Sequence, residues 1–181
     1  MPDDDVVAIL TGTPALLHAM LDTAASDAID HRAPGAWSVR EVLAHLILGE
    51  RNDWIPRVRH LLAHGETRPF VPFVREDWGG LPQAELATLL ATFAAERQAN
   101  LATLRALALG PAELARTGRH PKLGRVTLGE LLTTWAVHDL THVDQLVRLR
   151  AQRLAAATGP WNHPEYLGVL WRDKPAAHGS S

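Results

Sequence analysis

Histidine is the residue type in this sequence that offers the most chemistry. The 181 residues include ten histidines and no cysteine, which excludes disulfides, thiolate metal ligands and cysteine nucleophiles. A serine-hydrolase mechanism is disfavoured because few residues could serve as its nucleophile: the only serines are Ser26, Ser38, Ser180 and Ser181. Imidazole binds divalent metals and transfers protons near neutral pH. Metal binding and acid–base catalysis are therefore the chemistries that the composition favours.

Two histidines share the apolar face of the last long helix that the sequence predicts. At about 100° per residue, one stripe of that helix carries Leu131, Trp135, His138, His142, Leu146 and Leu149. The four-residue step from His138 to His142 brings their Cβ atoms to about 6 Å, close enough for both rings to bind one metal ion. Buried imidazole nitrogens need partners, and either a metal or neighbouring side chains can supply them.

A third histidine, His45, is also predicted to be buried. It is the only titratable group within residues 42–48, a run that is apolar on every side of a helix. Three protein ligands with a fourth position left open are typical of a catalytic or substrate-binding metal. His45, His138 and His142 are therefore a candidate metal site, and a hydrogen-bonded set of core histidines is the alternative.

Two further residues are candidates for proton transfer. The order His138-Asp139-Leu140-Thr141-His142 is similar to the zinc-protease motif His-Glu-x-x-His, with aspartate in place of glutamate. The shorter carboxylate argues against peptide hydrolysis, and Asp139 could instead orient a ligand histidine or a water. His120, in the turn before the same helix, is the second candidate. The other histidines are expected on surfaces, in loops or in the tail: His18, His31, His60, His64, His163 and His178.

Helical periodicity dominates the elements that must position these residues, and strand-like alternation is nearly absent. The pattern predicts four long helices at about 6–25, 39–63, 82–109 and 128–157, with a turn around 118–124. Ser38 with Glu41, and Thr127 with Glu130, have the spacing of capping boxes at the starts of the second and fourth helices.

Prolines and one long connection complete the predicted architecture. Thr13-Pro14 offers a later start for the first helix, Pro56 is expected to kink the second, and Pro82 to open the third. Residues 64–81 are rich in proline, glycine and aromatics, and loops of that length are usually functional or crossovers. The sequence predicts an all-α four-helix bundle with a long crossover between helices 2 and 3. One domain is expected over 1–172, with a flexible tail at 173–181.

Composition excludes other classes of function. With 18 basic and 20 acidic side chains, the chain lacks the positive footprint of a nucleic-acid binder. Arg148, Arg150 and Arg153 suit the C-terminal end of a helix dipole instead. The acidic N-terminus is unlike a signal peptide, and the longest apolar run in the middle of the chain is too short to span a bilayer. We expect a cytoplasmic protein without nucleic-acid or membrane partners.

Two stretches resemble the signatures of the DinB/YfiT-like superfamily. Residues 35–46, with Trp37-Ser38 ahead of His45, resemble the second-helix signature, and residues 120–146, with the His138–His142 pair, resemble that of the fourth helix. Gly159-Pro160-Trp161 is also similar to many members. The resemblance covers about residues 5–171, and the two signatures at this separation are more specific together than either is alone.

The resemblance implies a crossover four-helix bundle, usually a homodimer, with a divalent metal held by three histidines. Those ligands correspond to His45, His138 and His142, and zinc and nickel are among the metals found in the family. Characterised relatives include S-transferases that use bacillithiol or mycothiol, a mycothiol-dependent isomerase and proteins called metal-dependent hydrolases. Many members have no assigned activity.

We therefore expect a metal-dependent S-transferase that joins a low-molecular-weight thiol, such as bacillithiol, to a small electrophile. The chain provides no nucleophile of its own, and a bound divalent cation favours the reactive thiolate. One alternative is a hydrolase that uses metal-bound water. Another is a non-catalytic metal-binding stress protein. The aromatic connection at 64–81 could line a pocket in each case.

Overall fold

Four long helical segments form the framework of the protein. The computed structural model describes residues 2–24, 26–32, 35–74 and 77–171, and the expected tail at 173–181 lies outside them. The helices are α1 (Asp4–Leu21), α2 (Ser26–Asp30), α3 (Val39–Asn52), α4 (Trp54–His64), α5 (Leu86–Ala106), α6 (Pro111–Leu114) and α7 (Leu128–Leu154). The strands are β1 (Thr117–His120) and β2 (Gly124–Thr127). Short 3-10 helices occupy Leu81–Gln83, Ala155–Trp161 and Gly168–Leu170.

The long helices pack as the four corners of a bundle, which confirms the predicted fold class. Both α1 and α3 lie against α5 and α7, so α1 and α3 occupy opposite corners. The connection from α4 to α5 reaches the hairpin, where the Phe70 amide donates to the Arg119 carbonyl at 2.9 Å. This arrangement brings α3 and α7, the helices that carry the three candidate histidines, into contact.

Both predicted capping boxes are present, and they fix where the site-bearing helices begin. The Glu41 amide donates to Ser38 Oγ at 3.3 Å, and the Ser38 amide donates to Glu41 Oε2 at 2.7 Å. At the start of α7, the Thr127 amide donates to Glu130 Oε2 at 2.7 Å, with the reciprocal bond at 3.1 Å. Each box satisfies amides that a helix start leaves without an intrahelical partner.

Two predicted features of the first and second helices were wrong. Helix α1 begins at Asp4 under an Asp3 cap, so Pro14 lies inside the helix rather than at its start. The helix also ends earlier than predicted, at Leu21, and Ala25 itself lies outside the described residues. The second long segment breaks at Asp53 (φ −116°, ψ −65°) instead of bending at Pro56. Pro56 is in the first turn of α4, where its missing amide hydrogen costs no helical bond.

The other predicted bounds also shift. The third long helix begins at Leu86, because Pro82 belongs to the 3-10 helix at Leu81–Gln83, and it ends at Ala106. The fourth ends at Leu154 rather than near 157.

The expected turn before the last helix is a two-stranded antiparallel hairpin. Its register pairs Thr117 with Thr127 and His120 with Gly124. The strands were not predicted because each has only four residues. Gly118 lets the hairpin approach the bundle closely, since a Cβ there would lie 3.0 Å from Leu61 Cγ.

A layer of buried polar side chains divides the core into two apolar clusters. One cluster contains Leu10, Trp54, Leu101 and Trp135, and the other contains Leu17, Ile47, Phe93 and Leu146. Between them each corner of the bundle contributes a buried polar residue: Thr13, Glu50, Arg97 and Asp139. This layer was not predicted from the sequence.

Among the described helices, only α1 is long and apolar enough to cross a membrane by length and composition. Its residues Val6, Leu10, Leu17 and Leu21 are buried within the bundle. The core helix of a soluble protein and a signal sequence near the N-terminus both pass this test, so the composition of α1 is weak evidence for a membrane span.

Candidate metal centre

The structure brings His45, His138 and His142 together between α3 and α7. His138 Nε2 lies 3.1 Å from His45 Nε2 and 3.1 Å from His142 Nε2. One ring nitrogen from each residue falls within 4.8 Å of the others. His45 and His142 are buried, and His138 is half-buried. The spacing within α7 follows from helix geometry, whereas the approach of His45 is set by the packing of α3 on α7.

The donor set fits a divalent cation. Two nitrogens bound to tetrahedral zinc at 2.0–2.1 Å are about 3.3 Å apart, close to the two separations of 3.1 Å in the structure. Three imidazole nitrogens that face one another in a buried place need a proton or a cation among them to avoid lone-pair repulsion. Zinc, nickel and copper are metals that imidazole suits, and three ligands leave one position open.

Gln145 orients one of the three rings. His142 Nδ1 lies 2.9 Å from Gln145 Oε1, an oxygen that can only accept, so Nδ1 carries the proton. The lone pair of His142 is therefore on Nε2, the nitrogen that faces His138. Such outer partners fix the tautomer of ligand histidines. Gln145 was not assigned a role from the sequence, although its three-residue spacing from His142 was a usable signal.

Tryptophan rings pack directly against the histidines. The Trp37 ring lies 5.0 Å from His45 and is stacked on His142 at 6.3 Å, with 10° between the planes. Trp54 meets His138 edge-on at 5.1 Å. These contacts restrict the orientations of the imidazole rings and exclude water from their sides.

A cavity of about 520 Å³ opens beside the three histidines, which contribute to its wall. Further wall comes from the connection between α4 and α5 through Phe70 and Phe73, and from the hairpin through His120 and Leu123. Phe73 also contacts His45, with ring centres 5.8 Å apart. The aromatic connection therefore lines a pocket, as its composition suggested, and the cavity has room for a small-molecule ligand.

The structure places His120 on the cavity wall, as part of the hairpin. Its Nδ1 accepts hydrogen bonds from the amides of Lys122 and Leu123, both at 3.1 Å. Burial lowers the pKa of His120, and the positive charges of Arg57 and Lys122 lower it further. A neutral imidazole near pH 7 suits a proton-handling group, so this role for His120 stays a prediction.

Asp139 lies in a different environment from the one expected of a proton-handling residue. It is fully buried and absent from the cavity wall. Both of its oxygens accept from Arg97: Oδ2 from Nη1 at 2.6 Å and Oδ1 from Nη2 at 2.9 Å. This bidentate pair gives Asp139 a positioning role within α7, between the two histidines, rather than contact with a ligand in the cavity.

Arg97 links Asp139 to Glu50 in the polar layer. Arg97 Nη2 donates to Glu50 Oε1 at 2.8 Å, and Trp135 Nε1 donates to the same oxygen at 3.1 Å. Asn100 Nδ2 donates to Glu50 Oε2 at 2.9 Å. Burial lowers the pKa of Arg97, but its bonds to Asp139 and Glu50 outweigh that effect and raise it. Charged residues at apolar positions of the predicted helix faces were the signal for this network.

A second ion pair, between a buried aspartate and a half-buried arginine, lies on the cavity wall where α3 meets α4. Asp53 Oδ1 is 2.6 Å from Arg57 Nε, and both residues line the cavity. Burial raises the pKa of Asp53, and the Arg57 charge opposes the rise. Neither residue was a candidate in the sequence analysis, because no local motif marks them.

The remaining described histidines do not line the cavity. His60 and His64 contact one another on α4, and His60 Nε2 donates to the Arg68 carbonyl at 2.9 Å. His163 is exposed near the C-terminal end of the described chain. His178 lies outside the described residues.

The sequence and the fold are similar to known proteins. The sequence model of the DinB superfamily matches residues 9–146 of this chain. A Bacillus mycoides protein provisionally named a metal-dependent hydrolase is 30% identical over 121 residues, 64% of this chain and 66% of that protein. A Bacillus cereus protein with the same provisional name is 31% identical over the same share of each chain. The matched segment thus falls just short of two thirds of these relatives' length.

A solved structure supports the fold. YfiT from Bacillus subtilis, provisionally described as a metal-dependent hydrolase with an unusual four-helix bundle topology, superposes with a TM-score of 0.71. The match covers 83% of this chain and 86% of YfiT at 24% identity. Since the superfamily match spans most of the bundle, including all three clustered histidines, this chain belongs to the DinB superfamily.

Proposed function

We propose that the protein is a metal-dependent S-transferase that joins a low-molecular-weight thiol, such as bacillithiol, to a small electrophile. His45, His138 and His142 are its metal ligands, with zinc or nickel as the cation. A bound divalent cation favours the thiolate form of a sulfur ligand near neutral pH. In the transfer, sulfur forms a bond to the electrophilic carbon, and a leaving group such as a halide departs with the bonding electrons. The thiol proton passes to solvent or to His120.

The observation that carries the proposal is the position of Asp139. In a His-Glu-x-x-His hydrolase the carboxylate of this motif takes a proton from water. Here the corresponding carboxylate is held by Arg97 through both oxygens and is absent from the cavity wall. A thiol, which is far more acidic than water, does not need that base. The chain contains no cysteine, so the sulfur must come from a ligand.

The side chains of the protein have separate tasks in this proposal. Gln145 keeps the Nε2 lone pair of His142 directed toward the other ligands, because it accepts from Nδ1 at 2.9 Å. Trp37 and Trp54 pack against the rings of the histidines and limit access by water. The cavity of about 520 Å³ holds the thiol and the electrophile against each other.

A metal-dependent hydrolase is the second candidate, and the provisional names of the relatives favour it. His120, Asp53 and Glu130 line the cavity and are the groups available to a hydrolytic reaction. Asp53 is paired with Arg57, and Glu130 accepts from the Thr127 amide, so His120 is the best placed of the three.

A homodimer is also part of the proposal. The outer face of α7 exposes Val137, Leu140, Val147 and Leu154 at helical spacing, and their exposed fractions lie between 37% and 53%. Light scattering coupled to size exclusion gives the mass directly. A mass near 19.8 kDa, that of one chain, contradicts the dimer.

Metal analysis tests the basis of the proposal. Untagged wild type is compared with His45→Ala, His142→Ala and His163→Ala after dialysis against buffered zinc or nickel. We expect about one equivalent in wild type and in His163→Ala, and a strong loss in the other two variants. Equal metal content in all four proteins contradicts the three-histidine site.

A conjugation assay then separates the two candidate activities. The metal-loaded protein is given bacillithiol and a haloarene, and the halide released is followed in wild type and His142→Ala. S-transfer predicts acceleration in wild type alone, together with a thiol-dependent rise in melting temperature. Cleavage of esters or amides without thiol, with conjugation at background, favours the hydrolase. Neither activity at full metal occupancy favours a non-catalytic metal-binding protein.

A further inference from the structure

One wall of the cavity carries basic side chains, two of them cationic, that no metal-binding role explains. Arg57, His120 and Lys122 all line the same cavity as the three clustered histidines. Phe70 lies among them: the Arg57 guanidinium carbon is 5.4 Å from its ring centre, and the His120 ring centre is 6.3 Å from it. The charges of Arg57 and Lys122 both act on His120 and lower its pKa, after the larger effect of burial. The three groups therefore face a common region.

The two carboxylates of the cavity wall leave part of this positive charge available. The closest approach of Asp53 to Arg57 is 2.6 Å, from Oδ1 to Nε, and a guanidinium carries two further nitrogens that can donate to a ligand. Glu130 is held at the start of α7, where its Oε2 accepts from the Thr127 amide at 2.7 Å. Across the described ranges, Lys122 has no ion-pair partner. A planar guanidinium and an ammonium on the wall of one cavity can both donate to a carboxylate and match its charge.

The rest of the wall between this region and the histidines is largely apolar. Phe70, Phe73, Leu123, Val126 and Leu131 contribute to it. Leu123 at the tip of the hairpin is 75% exposed, so an apolar side chain also faces solvent beside the cavity. Such a cavity favours a ligand that has an apolar body and one charged end.

We propose that Arg57 and Lys122 form a carboxylate-binding subsite, and that the ligand reacting at the histidines carries an anionic group on an apolar body. This inference rests on the proposed function for the reaction, and it adds the class of ligand. The hairpin provides Lys122 and His120, and α4 provides Arg57, so two separate elements must pack together before the subsite exists.

The test uses two probes that differ in charge but share an apolar body: 4-mercaptobenzoate and 4-mercaptobenzamide. Their affinities for the cobalt-loaded protein are measured by calorimetry, and the thiolate-to-cobalt absorption band is recorded with each. We expect wild type to bind the acid about tenfold more tightly than the amide, the usual size of a charge-assisted contact. Lys122→Gln and Arg57→Gln should each reduce this preference at unchanged cobalt content.

Arg125→Gln is the matched control, because Arg125 is on the same hairpin, is 72% exposed and pairs with Glu66 outside the cavity. It should keep the full preference for the acid. Arg57→Gln removes the counter-ion of the buried Asp53 carboxylate, and the protein can fail to fold as a result. Lys122 is exposed, so Lys122→Gln is expected to fold and still tests the subsite. An unchanged preference in Lys122→Gln and Arg57→Gln overturns the subsite, as does equal affinity of wild type for both probes.

The two readouts separate this inference from the proposed function. If both probes give the thiolate-to-cobalt band but bind with equal affinity, the result agrees with thiol activation and overturns the subsite. If the acid binds more tightly than the amide but neither probe gives the thiolate-to-cobalt band, the result agrees with the subsite and contradicts thiol activation. Binding of neither probe at full cobalt occupancy overturns both.

Discussion

Replacing Arg97 with methionine tests whether the polar layer holds the bundle together. The side chains of Arg97, Glu50 and Asp139 are all at most 1% exposed. Methionine keeps the unbranched apolar stem but removes the guanidinium, so two buried carboxylates lose their shared counter-ion. Removing one member of such a buried network costs about 3–5 kcal/mol. The whole domain is expected to be stable by only about 5–15 kcal/mol, so this loss is a large fraction of the total.

Urea denaturation followed by circular dichroism measures the change in the free energy of unfolding. The control is Arg51→Met, which breaks the ion pair with Glu96, in which the two side chains are 41% and 33% exposed. Such a surface pair contributes at most about 1 kcal/mol. Arg97→Lys retains the charge without the bidentate fork and should fall between wild type and Arg97→Met.

A free energy of unfolding for Arg97→Met within about 1 kcal/mol of wild type would contradict this prediction. In that case the carboxylates would be satisfied by water or by rearrangement, and the layer would not be a stability element. A variant already unfolded in buffer while Arg51→Met is native agrees with the prediction, since the loss then approaches the total stability.

Three further predictions concern local packing, metal affinity and pH. Gly118→Ala should lose about 1–3 kcal/mol in the free energy of unfolding, because its Cβ would lie 3.0 Å from a leucine side chain. The control Gly12→Ala, with nothing within 4 Å, should be neutral or gain up to about 1 kcal/mol as a helix position. Gln145→Leu should weaken metal affinity about 10- to 100-fold in competitive chelator titrations, since it removes the partner of His142 Nδ1. The His120 ring should titrate below its ordinary pKa of 6.5 by NMR. Because the pKa of His120 is lower in the folded state, the neutral ring contributes stability that is fully present above pH 6.5 and is lost as the pH falls through the folded-state pKa. His120→Gln should abolish this pH dependence of the free energy of unfolding.

Each of these has a clear contrary result. Equal stability of the two glycine variants would show that the hairpin can move away from the bundle. Unchanged metal affinity in Gln145→Leu would show that another group holds the tautomer of His142. A His120 pKa at or above 6.5 would show that burial and the charges of Arg57 and Lys122 do not control this ring.

Much of the fold could be predicted from the sequence because the signals are local. The capping boxes at Ser38 and Thr127 join residues three apart, and they mark the starts of α3 and α7 correctly. The spacing of His138 and His142 places both rings on one face of any helix that forms there. The apolar run around His45 predicted its burial without any knowledge of its neighbours.

Two of the failures lie where contacts with distant residues help to decide the outcome. The helix breaks at Asp53 rather than at Pro56, and the next residue, Trp54, stacks on Trp135 of α7. The hairpin strands have only four residues each and depend on contact with the bundle, such as that between Gly118 and Leu61.

Sequence alone determined the residue types, their helical faces and hence the candidate ligands. Which groups each candidate contacts depends on the tertiary structure. His45 reaches His138 across 93 positions, whereas Asp139, a neighbour of His138 in the chain, is held by Arg97 from another helix. Helical periodicity specifies which face a side chain occupies. The partner on the opposing face depends on how the helices pack, because contacts between distant residues form only when the whole bundle closes.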